Sequence, residues 1–141
     1  MPAHDDALSE QECWELLATA SVGRLALSVR ALPVIMPVQY YLDGRRLAVC
    51  LGHHGLPEQA LNAAIIAFAA DSIDPATRSG WLVQVQGRSA IPRGLRIDTD
   101  CGRPASPAQV VEIEAGRISG HRMHLCPLID TLLAGQPSST A

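Results

Sequence analysis

The amino-acid sequence predicts a mainly β protein, a small antiparallel barrel of about six strands flanked by two short helices. Residues 22–51 carry three strand-like segments in succession, broken once by an Asp-Gly pair that favours a tight hairpin. Within them Leu25, Leu27 and Val29 alternate with Arg24, Ala26, Ser28 and Arg30, the period of two of a half-buried strand. Further short apolar segments follow, and antiparallel strands of this length usually close into a barrel.

The elements follow in order. Residues 1–7 are a polar, acidic arm that does not read as a signal peptide. Ser9 opens a helix, because Ser9-Glu10-Gln11-Glu12 fits the capping box, in which hydroxyl and carboxylate satisfy free backbone N–H groups. Leu8 and Cys13 stand at the positions of a hydrophobic staple, and Cys13, Leu16, Leu17 and Ala20 form an apolar stripe. This helix is expected to plug one end of the barrel, with Trp14 beside the stripe. The first strand spans 22–30. The second, 34–41, is apolar on both faces except at Gln39, which suits a strand covered on both sides. The third spans 47–51. Gly52-His53-His54-Gly55-Leu56-Pro57 is an exposed loop, and Pro57 suits the first turn of a short helix over 57–63. Residues 64–70 form a fourth strand and 71–79 a polar loop. Residues 80–90 form a fifth strand, with Leu82 out of phase and Gly87 marking a bulge or a close backbone approach. The segment 91–108, with three prolines and two glycines, is irregular and a place for a substrate lid. Residues 110–114 alternate as a strand, Ala115-Gly116 turn the chain, and 117–123 finish the sheet. One domain is expected over 1–135, with 136–141 a disordered tail.

Composition narrows the function classes. Charged residues make up 18% of the 141 and hydrophobic ones 48%, so apolar surface is left over for a partner, and a homodimer is the simplest one. Phe68 is the only Phe, so Leu, Val, Ile and Ala must build the core. A net charge of −3 gives no electrostatic reason to expect nucleic acid. No apolar run approaches the ~20 residues that span a bilayer. Cys13, Cys50, Cys101 and Cys126 form no Cys-x-x-Cys pair and read as reduced thiols, which fits a cytoplasmic location. In His121-x-x-His124-x-Cys126 the two histidines would face opposite sides of a strand, which argues against one metal site. No catalytic acid, base or nucleophile stands out.

The ordered set LSEQECWELL, VGRLALS, PVIMPVQYYLDG, GWLVQVQGRSA and VVEIEAGRISGHRM resembles the pyridoxamine 5′-phosphate oxidase-like family of flavin-binding split β-barrels, over roughly residues 8–123. The resemblance implies a homodimer with FMN, or a deazaflavin, held at the interface. It implies that Pro37, Val38, Gln39 and Tyr40 run along the isoalloxazine ring, and that Leu51, Gly52, His53, His54 and Gly55 lie at the ribityl phosphate. Trp81 would approach from the dimer side, and Arg122 would contact an anionic ligand or form a surface salt bridge. The family's basic residues are missing from the phosphate segment, where only the two histidines could donate. Two functions follow: a flavin- or deazaflavin-dependent oxidoreductase of a small molecule, or a non-catalytic dimeric ligand-binding or regulatory barrel that has lost its flavin.

Overall fold

The structure, a computed structural model, describes residues 6–52, 56–92 and 109–126. A helix, α1 (Glu10–Leu17), precedes three strands, β1 (Val22–Val29), β2 (Leu32–Asp43) and β3 (Arg46–Gly52). A single helical turn, α2 (Glu58–Leu61), leads into β4 (Ile65–Asp74), β5 (Ser79–Ala90) and β6 (Gln109–His124). The strands close into an antiparallel barrel in the order β1-β2-β3-β6-β5-β4. No helix among the described residues is long and apolar enough to cross a membrane.

The alternation expected of β1 is met. Leu25 and Leu27 point into the barrel, and Arg24 and Ser28 point out. The interior is aliphatic, with Val38, Leu47, Val49, Val83, Val85, Val111 and Ile113 packed around one aromatic pair. In that pair Tyr40 meets Phe68 edge-on, with ring centroids 4.9 Å apart. Gly23 is required by this packing, because a Cβ there would stand 2.4 Å from the Phe68 ring. α1 covers one barrel end. Its capping box forms in both directions, with Ser9 Oγ accepting from the Glu12 N–H and the Glu12 carboxylate accepting from the Ser9 N–H.

Four expectations are corrected. The polar stretch 71–79 is mostly strand. β4 runs on to Asp74 and β5 starts at Ser79, so only four residues turn. Its charged and hydroxylic side chains belong to the exposed end of a long hairpin, where alternation with apolar residues is lost. Ala115-Gly116 do not turn the chain. β6 continues through them, with Ala115 opposite Gly87 and Arg117 opposite Gln86, so that Gly116 is the extra residue of a bulge. Gly87 is the close approach that the sequence suggested, since a Cβ there would lie 1.8 Å from the Glu114 carbonyl oxygen. Arg30 belongs to a two-residue turn with Ala31 rather than to β1. Finally, β2 is covered on one face only within the chain. Met36, Val38 and Tyr40 are buried, while Ile35 on the outer wall is 71% exposed.

Candidate functional site

Two of the concavities on the barrel surface are lined by described residues alone, and several of the residues singled out in the sequence lie at the smaller of these. Val22 faces Gln39 across β1 and β2, and Gln39 faces Cys50 across β2 and β3. Paired residues of an antiparallel ladder share a face, so Val22, Gln39 and Cys50 form one row across the outer wall. Pro37, two residues from Gln39, belongs to the same face. With Val38, Leu51 and Gly52 these residues line an open groove of about 260 Å³. A register shift between Cys50 and Gly52 opens its end, where Gly52 takes φ +67, a conformation that side chains resist. The walls are apolar apart from the Gln39 amide and the backbone.

The structure thus brings together Pro37, Val38, Gln39, Leu51 and Gly52. His53, His54 and Gly55 lie outside the described residues. Tyr40, expected along the ring, does not line the groove; its side chain, like that of Leu51, is buried in the core. The Tyr40 hydroxyl donates to the Leu17 carbonyl at the helix that covers the barrel end. Trp81 is likewise a core residue, paired in register with Arg122. Arg122 is exposed near α1, and the Glu12 carboxyl there is held below its ordinary range chiefly by its two hydrogen bonds with Ser9 and only lastly by the Arg122 charge. Within one chain neither Trp81 nor Arg122 lines the groove. Sequence reasoning missed Val22, while the resemblance had already put Cys50 at the start of the phosphate segment. The signal for Val22 was the strand register, which pairs it with Gln39 and is invisible until the hairpins are fixed.

Cys50 is 7% exposed although it stands on the outer wall. Its neighbours are Gln39 and Val110. Cys13, Cys50 and Cys126 are free thiols. The Cys13 thiol lies in the core, and burial first, then Glu12 and Glu10, pushes it up from its ordinary pKa.

The larger concavity, about 700 Å³, lies between α1, the β2–β3 hairpin and β6. Arg45 pairs with Glu10 at 2.7 Å and Arg46 with Glu112 at 3.5 Å on its walls. Trp14 lines it, with an indole N–H that has no partner among the described residues. None of the described residues implied by the resemblance lines this cleft, and two of its arginines are already held by carboxylates.

An antiparallel six-stranded barrel with a groove on its outer wall at the second and third strands defines the split-barrel class. A family model described as pyridoxamine 5′-phosphate oxidase matches residues 9–93, more than half of the chain, and the chain belongs to that family. Uncharacterized protein Rv0080 of Mycobacterium tuberculosis is 35% identical over 86 residues, which is 57% of this chain and 56% of that protein. The chain therefore spans little more than half of that relative's length. Among solved structures, the FAD binding protein from Mycobacterium smegmatis superposes with a TM-score of 0.65 at 24% identity, covering 84% of this chain and 97% of that one. A FAD-binding protein from Mesorhizobium loti superposes with a TM-score of 0.64 at 22% identity, covering 82% and 94%. At these identities the likeness establishes the fold.

Proposed function

We propose that this chain is a flavin-binding split-barrel protein that works as a homodimer and, with its flavin, carries out oxidoreductase chemistry on a small molecule. The observation that carries the reading is the groove of Val22, Pro37, Val38, Gln39, Cys50, Leu51 and Gly52, which gathers five of the residues implied by the resemblance, Pro37, Val38, Gln39, Leu51 and Gly52. The groove suits a flat aromatic ring system. Its apolar walls match a ring face, and the Gln39 amide can donate and accept at a polar ring edge. The family match and the relatives named as FAD-binding support a flavin, whether FAD, FMN or a deazaflavin.

A bound flavin would supply the hydride chemistry. The chain's own residues bind and orient it and exclude water from one ring face. Ile35, Tyr41 and Val22 leave the outer wall apolar and exposed, and Leu32 and Ile65 add exposed apolar side chains at the ends of β2 and β4. A second copy laid against this wall would cover it and close the groove from the far side. One observation favours the non-catalytic alternative: no charged side chain lines the groove among the described residues.

Cys50 provides the test. Alkylation of the folded protein by iodoacetamide, followed by mass spectrometry, should label Cys50 slowly in the free protein and at least tenfold more slowly with FMN or FAD present. Cys126, exposed and remote in sequence from the groove strands, serves as the internal control. Equal Cys50 labelling with and without either flavin, together with no visible flavin absorbance in the purified protein, would replace this reading with the flavin-free barrel.

A further inference from the structure

Among the described residues the groove has walls for a ring but no charge for a phosphate, and an arginine without an ion pair stands one step beyond it on β1. Arg24 lies on the outer face of β1, two residues from groove-lining Val22 and directly opposite groove-lining Pro37. Its other cross-strand neighbour is Ala69 of β4. Neither neighbour is charged. The guanidinium is exposed, and among the described residues its one hydrogen bond is a 3.2 Å contact from Nη1 to the carbonyl of Gly23, the preceding residue. Among the described residues it makes no ion pair, whereas Arg45 and Arg46 are held by Glu10 and Glu112. Gly23 fixes its place, because the Phe68 ring packs against the Gly23 backbone and pins β1 in register.

Resting on the flavin reading above, we infer that Arg24 is the residue that holds the phosphate of the bound flavin, so that this groove selects phosphorylated flavins by a cation on the first strand. The guanidinium fork matches a phosphate through two parallel N–H donors, and the weak hydrogen bond to Gly23 is easily exchanged for it. The assignment explains how the chain can dispense with a lysine or arginine at the end of β3. It also sets an orientation in the groove, with the phosphate towards the Pro37 end and away from Gly52.

The test compares a flavin that has a phosphate with one that lacks it. Riboflavin and FMN are titrated by fluorescence against the full chain as wild type, Arg24→Gln and Arg24→Lys, at low and high salt. Wild type should bind FMN about 10- to 100-fold more tightly than riboflavin, the size of one or two charge-assisted contacts, and salt should erode that preference. Arg24→Gln should bring the ratio near one while leaving riboflavin affinity within about twofold, and Arg24→Lys should restore part of it. An unchanged FMN-to-riboflavin ratio in Arg24→Gln, or an equal loss for both ligands, overturns the assignment while leaving the flavin groove standing. Wild type that binds neither ligand overturns both.

Discussion

Tyr40 is placed by the barrel, with its ring edge-on to Phe68 and its hydroxyl donating to the Leu17 carbonyl. It is the bond that ties α1 to β2. Tyr40→Phe leaves that carbonyl only the long 3.4 Å bond from the Ala20 N–H and should destabilise the chain by about 1–3 kcal/mol in urea unfolding. The same residue sets an alkaline limit. Burial raises the Tyr40 phenol above its ordinary pKa, and burial, Glu12 and Glu10 raise the Cys13 thiol. A group with a raised folded pKa holds its proton more tightly when folded. Its contribution is therefore intact below the unfolded value and is lost as pH rises through the folded one. Stability should fall above about pH 8.5, where an unfolded thiol titrates, and again above about pH 10 for the phenol. Melting curves should show the upper loss vanish in Tyr40→Phe; an unchanged alkaline profile would contradict the placement of this phenol. The turn Arg30-Ala31 is a second local feature. Both residues take positive φ, at 51° and 65°, which suits Asn-Gly and strains these side chains. Arg30→Asn with Ala31→Gly should raise stability by about 1–2 kcal/mol. Nothing in residue type announced that turn, because Arg and Ala are poor turn formers and the Val22–Val29 alternation runs straight into it.

The strands were legible where one face is wet. β1 showed its period because Leu25 and Leu27 are buried while Arg24 and Ser28 are solvated, and β5 showed it through Val83 and Val85 against Gln84 and Gln86. The capping box of α1 could be read residue by residue because it is a local device. Two connections were misread for opposite reasons. The β4–β5 hairpin projects beyond the core, so Asp71, Ser72 and Asp74 carry no burial pattern. In β6 the pair Ala115-Gly116 looked like a turn, but its role is set by Gly87 on the neighbouring strand, 28 positions away. Faces within a strand give the sharpest check. Leu27 is 4% exposed, so Leu27→Asp buries an unpaired carboxylate and should abolish soluble folding, a penalty of several kcal/mol against a total of ~5–15. Arg30→Asp, in the exposed turn, should express and melt like wild type. Similar melting temperatures for the two variants would mean that the faces of β1 are wrongly assigned.

For the molecule as a whole, the barrel leaves its apolar outer wall unpaid for. Ile35 at 71% and Ile65 at 74% exposure are extreme values for isoleucine in a strand. The low charged fraction foretold such a surface, and the two-sided apolar pattern of β2 is its local expression: one face packs in the barrel and the other stands exposed. Light scattering at micromolar concentration should give a dimer mass, and Ile35→Glu should yield a folded monomer; a monomeric wild type would remove the second copy from the proposal. The candidate site was half legible. Pro37, Val38, Gln39, Leu51 and Gly52 could be picked out because they are continuous in sequence within two strands. Val22 and Arg24 could not, since they join the site only through the cross-strand register. Whether the groove holds a flavin is decided by titrating FMN and FAD calorimetrically against wild type and Val22→Trp, a substitution at a half-exposed groove position that should leave the barrel folded. Saturable binding near one flavin per chain, weakened at least tenfold in Val22→Trp at an unchanged melting temperature, is the expected result; wild type that binds no flavin, or a variant that binds it equally well, contradicts the site.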